Sequence, residues 1–263
     1  MIPATTNVFL RHRAEELGLA VGLLTRYPLP AFSTRTNASI NTAFWAFPIA
    51  GALIGGPAAA VFWLSVTIGL STAASVLIAT AAALLASGAL HEDGLGDFWD
   101  GIGGGHSREA KLGIMRDSRI GTYGSLALFL TLGLQLSFLI SLHYYSGTAC
   151  AMGAIIASEA VARGAIALPV AALKPARHDG LGASMADSSP RVFIVGASLA
   201  MLLSAILLGT LSAYLVVGAL LGAGLISALA WRFLGGYTGD VLGAAVVTAR
   251  MMALGALLLA VTP

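Results

Sequence analysis

Residues 125–173 read SLALFLTLGLQLSFLISLHYYSGTACAMGAIIASEAVARGAIALPVAAL. Two apolar runs, 125–145 and 149–173, flank a short connection without Lys or Arg. Each is long enough to cross about 30 Å of hydrocarbon as an α-helix, which takes about 20 residues. Five further runs fit the same description: 43–66, 71–90, 192–211, 213–231 and 241–261. The 263 residues are 57% hydrophobic and only 10% charged, with a mean hydropathy of +0.88. A soluble domain carries about a quarter charged residues. The expected fold is therefore all-α: a polytopic integral membrane helical bundle of about seven transmembrane helices, forming one domain over 1–263.

Residues 14–30 are too short to span and are closed by Arg26 and two prolines, so they read as an N-terminal interfacial or re-entrant helix. No signal-peptide pattern opens the chain, so none is expected. Pro48 and Gly55-Gly56-Pro57 should kink the first span, and frequent Gly, Ala and Ser favour close helix contacts. Cys150 is the one cysteine, which excludes an intrachain disulfide and leaves too few thiols for a thiolate metal site.

Charge orders these spans. The connections near 67–70, 146–148 and 212 hold no base, whereas Arg11, Arg13, Arg26, Arg35, Arg108, Lys111, Arg116, Arg119, Lys174, Arg177, Arg191 and Arg232 all fall on the other side. The positive-inside rule makes that side cytoplasmic. Within spans, Glu159 and Arg163 stand at i and i+4 and can pair. Arg250 needs a partner from elsewhere, either Glu159 or Asp240. His143, near the outer end of its span, reads as interfacial.

The stretch 91–124, HEDGLGDFWDGIGGGHSREAKLGIMRDSRIGTYG, concentrates polar chemistry. Its first half carries Glu92, Asp93, Asp97 and Asp100 without a base; its second carries Arg108, Lys111, Arg116 and Arg119. If the preceding helix continues through Gly94, then Asp93, Asp97 and Asp100 share one face. Three like charges there repel unless they surround a cation, and carboxylates sharing a cation with substrate phosphates is the usual Mg²⁺ arrangement. GIGGG is too glycine-rich for a helix interior and would let the N–H groups of Gly103 and Gly104 approach an anion. The forks of Arg116 and Arg119, with Lys111, suit a phosphate. A solvated topogenic loop explains the bases but not the acids. An ion pathway wants acids along the spans, where Glu159 stands alone. Metal-assisted phosphoryl or nucleotidyl transfer explains both halves.

These residues also resemble a known family. His91, Asp93, Gly94, Asp97, Asp100 and Gly101, followed by Met115, Asp117, Ser118, Arg119, Gly121 and Gly124, match the two central motifs of the cobalamin synthase (adenosylcobinamide-GDP ribazoletransferase) family. LLTRYPLP near the start, KPARHDGLG at 174–182 and GGYTGDVLGA at 235–244 extend the resemblance along nearly the whole chain. Two positions depart from it: Glu92 stands where an apolar residue is expected, and VVTARMM follows GDVLGA where the family commonly has an acid.

The resemblance implies that the 5′-hydroxyl of α-ribazole, or of its 5′-phosphate, attacks the cobinamide-side phosphorus of GDP-cobinamide with release of GMP, in the last steps of cobalamin biosynthesis. It implies Mg²⁺ on Asp93, Asp97 and Asp100, with Asp117 or Asp240 adding a metal contact or orienting an arginine. Arg116, Arg119, Lys111, Ser118 and Arg177 would hold substrate, and His91 or a free carboxylate would serve as base. The expected location is a bacterial cytoplasmic (inner) membrane with the site facing the cytoplasm. The expected partners are small-molecule substrates and lipid, a homo-oligomer and other corrinoid-pathway enzymes, with no nucleic acid. Two rivals fit less well. CDP-alcohol phosphotransferases want Ala-Arg where Asp97-Phe98 stands, and a cation or corrinoid transporter wants polar access from both faces.

Overall fold

The computed structural model describes residues 4–28 and 38–262. Arg35 and the last two residues of the 14–30 reading lie outside them. The described residues form helices α1 (Ala4–Leu24), α2 (Ile40–Ala43), α3 (Phe47–Thr67), α4 (Thr72–Ser87), α5 (Leu90–Gly104), α6 (Arg108–Ile114), α7 (Thr122–Gly164), α8 (Ala167–Ala172), α9 (Gly180–Ala183), α10 (Pro190–Leu208), α11 (Ser212–Leu234) and α12 (Gly239–Val261). The protein is thus an all-helical, apolar membrane bundle. Among the described residues, extended pairing is confined to a parallel bridge between Pro175 and Tyr237.

Four helical stretches are long and apolar enough to cross a membrane, or five if the bent pair α4–α5 counts as one. Length and composition therefore do not return the expected count of seven. The difference arises because two of the four stretches double back. Gln135 and Glu159 both bind the Arg250 guanidinium, at 3.0 and 2.7 Å, although a straight helix would hold them about 36 Å apart. The reversal is at Gly147, whose φ of 77° suits glycine. Likewise Ala197 of α10 and Leu220 of α11 line one small cavity, and the chain reverses at Gly209, where φ is 57°.

Small residues set the bundle's spacing. A methyl at Gly55 of α3 would come 2.7 Å from the Ile156 Cα of α7, and one at Gly222 of α11 would come 2.7 Å from the Ala249 Cα of α12. Backbones this close gain van der Waals contact that lipid cannot supply. Pro48 lies in the first turn of α3 and α3 runs on through Pro57, so the expected kink at Pro48 is instead a helix start. Helix α1 begins well before residue 14 and is anchored by the fully buried Glu16, which accepts from Arg13 at 2.6 Å and from the Trp45 indole at 2.7 Å.

The acidic stretch does not continue α4. Gly88 (φ 65°) and Ala89 (φ 53°) end that helix, with Ala89 N–H donating to the Leu84 carbonyl at 3.0 Å. The new helix α5 leaves at 90° to α4. We read α5 as lying across the end of the bundle, outside the spans, because it crosses α12 at Gly94 and Gly243 and reaches the start of α7. A methyl on Gly94 would come 3.0 Å from the Asp240 carbonyl oxygen, and one on Gly243 would come 3.1 Å from that of His91. Helix α5 also runs through Ile102, Gly103 and Gly104. The expected irregular glycine loop is thus helix, because those glycines are needed for contact: a side chain on Gly103 would occupy the Tyr123 ring.

Candidate active site

The helical period of α5 sends its acids to three destinations. Asp93 lines a cavity of about 310 Å³ together with Asp240, Arg177 and Asp179. Asp97 sits beside it, its carboxyl pushed up to about 7 by burial and then by the charges of Asp93, Asp240 and Asp100, against which Arg177 acts. Asp100 turns the other way. Its two oxygens accept the N–H groups of Gly121 and Gly124 at 2.7 and 2.8 Å. It therefore ties α5 to the first turn of α7, and both of its oxygens hold backbone N–H groups where the sequence suggested a cation. Glu92 points into the bundle and joins Arg250 at 2.6 Å.

Asp240 reaches the cavity because Thr238, not Asp240, caps α12: the Thr238 hydroxyl accepts the Val241 N–H at 3.3 Å. The 174–182 and 235–240 segments are stitched together by backbone. Ala176 N–H donates to the Tyr237 carbonyl at 2.7 Å and Tyr237 N–H to that of Lys174 at 2.9 Å. Arg108 adds bonds to the Leu234 and Ala176 carbonyls at 2.7 and 2.8 Å. The three basic loops expected on one side thus meet at one end of the bundle.

The cations divide. Arg177 lines the cavity, with its guanidinium 3.8 Å from Asp240 and donating to the Leu112 carbonyl at 2.6 Å. Arg116 stands at the rim, bonding both oxygens of Asp179 at 2.7–2.8 Å. Arg119 does not reach the cavity. It is 86% exposed and grips Asp117, holding that carboxyl down at about 2. Asp117 is therefore an arginine clamp within its own loop, not a neighbour of Asp93. Lys111 caps the C-terminus of α5 through the Ile102 and Gly105 carbonyls. Ser118, Gly103 and Gly104 also lie away from the cavity lining.

His91 lines the cavity, with Nδ1 3.4 Å from an Arg163 Nη2, so that this nitrogen is set to accept and Nε2 to carry the proton. Behind it lies a buried ionic network. Glu159 pairs with Arg163, and with Arg250 at 2.7 Å; Arg250 also takes Glu92 and Gln135. Both acidic partners of Arg250 are therefore resolved: Glu159, one of the two expected, and Glu92. Asp240 is not one.

No three acid, His or Cys side chains among the described residues already converge as a metal cage. The donors nevertheless suit Mg²⁺, which commonly takes one or two carboxylates and completes its shell with water and substrate phosphate. Asp93, Asp240 and Asp97 could supply such carboxylates: burial and then the charges of Asp93, Asp240 and Asp100 raise Asp97, and a cation would relieve the second effect.

Reasoning from sequence missed Asp179 as the partner of Arg116, the inward role of Glu92, and the apolar wall. That wall comprises Leu23, Leu24, Phe47, Ile166, Met185 and Leu242, contributed by five separate elements with no motif in common.

A family model described as cobalamin-5-phosphate synthase matches residues 16–258. The chain belongs to that family. Curated relatives agree. The adenosylcobinamide-GDP ribazoletransferase of Bradyrhizobium diazoefficiens is 40% identical over 245 residues, covering 93% of this chain and 92% of the relative. The protein of the same name from Mesorhizobium japonicum is 39% identical, covering 89% of each chain. The one from a Sinorhizobium species is 36% identical, covering 96% of this chain and 99% of the relative. No solved structure matches. Family membership sets aside the CDP-alcohol phosphotransferase and transporter readings.

Proposed function

We propose that the chain is an adenosylcobinamide-GDP ribazoletransferase working at the membrane face, with its chemistry in the cavity between α5, α12 and the 174–182 loop. The 5′-hydroxyl of α-ribazole or its 5′-phosphate displaces GMP from GDP-cobinamide at the cobinamide-side phosphorus. The bond formed is ribazole oxygen to phosphorus, the bond broken is phosphorus to the bridging oxygen, and the hydroxyl proton goes to a cavity base. The observation that carries this reading is the meeting of Asp93, Asp240 and Arg177 in one cavity from three separate segments.

In displacement on a diphosphate, positioning and charge neutralisation dominate. Arg177 and, at the rim, Arg116 neutralise and orient the diphosphate. Two of Asp93, Asp97 and Asp240 would hold Mg²⁺, which when bound offsets charge on the phosphates and the departing GMP. The carboxylate of this set not engaged by the cation accepts the hydroxyl proton, and buried His91 holds the first turn of α5 against Arg163. Apolar walls exclude water, which would otherwise compete with the ribazole hydroxyl. The membrane is the bacterial cytoplasmic membrane and the cavity faces the cytoplasm, a reading supported by the basic loops gathered at that end.

The test uses purified protein in detergent with GDP-cobinamide, α-ribazole and Mg²⁺. Stoichiometric GMP and adenosylcobalamin are expected. GMP release without α-ribazole, or no GMP with all three present, would overturn the assignment.

A further inference from the structure

A second groove brings charged and apolar side chains together, between α1 and the start of α10. Phe9, Arg13, Trp45, Arg191, Val192 and Val195 line a space of about 480 Å³. It shares no residue with the cavity that holds Asp93 and Asp240.

Its two guanidiniums are in different states. Arg13 is held in place: it donates to Glu16 at 2.6 Å and lies 5.1 Å over the Phe9 ring. Arg191 is exposed and forms no ion pair or side-chain hydrogen bond among the described residues. Only its backbone is engaged, its N–H donating at 3.4 Å to Ser189, which caps α10 and also lines the groove. Glu16 does not answer Arg191, because it is fully buried and shared by Arg13, His12 and the Trp45 indole. One turn beyond Arg191, Ile194 and Val195 are exposed, as are Phe9 and Leu10 of α1. In a membrane protein such side chains face hydrocarbon, so Arg191 stands at the level of the lipid headgroups.

We propose that this groove seats an anionic phospholipid, its phosphodiester between Arg191 and Arg13 and a chain running along Val192, Val195 and Phe9. A net negative headgroup answers the unpaired Arg191 with a charge-assisted hydrogen bond, whereas a zwitterionic one brings its own cation to the same place. Free phosphate would leave the apolar half of the groove empty. A second copy of this chain docked symmetrically would bring the same guanidiniums together, like charge on like. Anionic lipid is also what a cytoplasmic leaflet supplies. Bound there, it clasps α1 against α10, and the far end of α1 delivers Leu23 and Leu24 to the active-site cavity.

The test is native mass spectrometry of the detergent-solubilised chain, titrated with dioleoyl phosphatidylglycerol or dioleoyl phosphatidylcholine. Wild type should hold phosphatidylglycerol about tenfold more tightly than phosphatidylcholine. Arg191→Gln breaks no side-chain bond in the structure, and should weaken phosphatidylglycerol about tenfold. Arg11→Gln removes a charge from α1 outside the groove, and should weaken it less than about twofold. Val195→Trp should fill the apolar end and weaken phosphatidylglycerol with every charge in place. Equal retention of the two lipids, wild-type retention in Arg191→Gln or Val195→Trp, or equal losses in Arg191→Gln and Arg11→Gln would each overturn the site. Displacement by glycerol phosphate as effective as by the lipid would make it a plain anion site and overturn the lipid assignment. A lipid-free dimer that Val195→Trp dissociates would give the groove to a second copy and overturn it likewise.

Discussion

Glu92 and Arg250 make the sharpest stability prediction, because their network is electrically closed. Two carboxylates, Glu92 and Glu159, face two guanidiniums, Arg163 and Arg250, all buried. Arg250→Leu strands Glu92, for which Arg250 is the salt-bridge partner in the structure, and leaves Glu159 with Arg163. Losing one partner of a buried pair costs about 3–5 kcal/mol. Glu92→Leu is milder, since Arg250 keeps Glu159 at 2.7 Å and Gln135 at 3.0 Å, but it leaves an unbalanced positive charge. The double variant restores neutrality and replaces the pair by apolar volume, so it should cost less than the two single losses together by about 2–3 kcal/mol. Thermal unfolding in detergent can be followed by a thiol-reactive dye on Cys150, the sole cysteine. At roughly 2–4 °C per kcal/mol, Arg250→Leu should lower the midpoint by roughly 6–20 °C. A double variant as unstable as the summed singles would refute the compensation argument, as would single variants that melt like wild type.

Other outcomes follow from the site. Asp100→Asn leaves an amide nitrogen facing the Gly121 and Gly124 N–H groups, so stability should fall by about 1–3 kcal/mol with little change in Mg²⁺ dependence; lost Mg²⁺ affinity at unchanged stability would make Asp100 a ligand after all. Gly94→Ala should push α5 off α12 and lower kcat by about tenfold or more, measured as GMP release, whereas full activity would show that the close contact does not position Asp93. Arg177→Gln should raise the KM for GDP-cobinamide about tenfold, while Arg119→Gln should change it less than about twofold; the opposite ranking would return the diphosphate to Arg119. For orientation, Glu109→Cys in a Cys150→Ser background should resist an impermeant thiol reagent applied outside intact cells, and labelling from outside would invert the topology.

Much of this was legible in the residues, for identifiable reasons. Apolar runs and absent bases mark buried helices and their far connections, because desolvation of charge leaves little freedom there. The acids of 91–100 and Asp240 were singled out as chemistry; Asp93 and Asp240 line one cavity, and Asp97 feels the charge of both. What spacing could not show is which way a helix is turned. The break at Gly88–Ala89, with Ala89 at positive φ, starts a new helix and rotates Asp100 toward the glycine N–H groups of α7 while Glu92 enters the core. Nor could composition tell a flexible glycine loop from glycines needed for packing: Gly103 serves the Tyr123 ring and Gly94 the α12 backbone. The exposed Arg119–Asp117 clamp and the cavity-lining Arg177 look alike in sequence, because exposure is decided by tertiary packing. The pairing of Glu92 with Arg250 was hidden by their separation, although both stood out as departures from the family pattern.

The central claim, that Asp93 and Asp240 hold a cation against the diphosphate, is tested most directly by Mg²⁺ titration of GMP release. Wild type, Asp93→Asn and Asp240→Asn would be compared at saturating GDP-cobinamide and α-ribazole. Each substitution keeps the shape of the side chain and removes one charge. The account predicts a rate lowered by about a hundredfold or more, a Mg²⁺ requirement shifted to higher concentration, and melting temperatures at or above wild type because carboxylate repulsion is relieved. Near wild-type rates in both variants with an unshifted Mg²⁺ curve would contradict it.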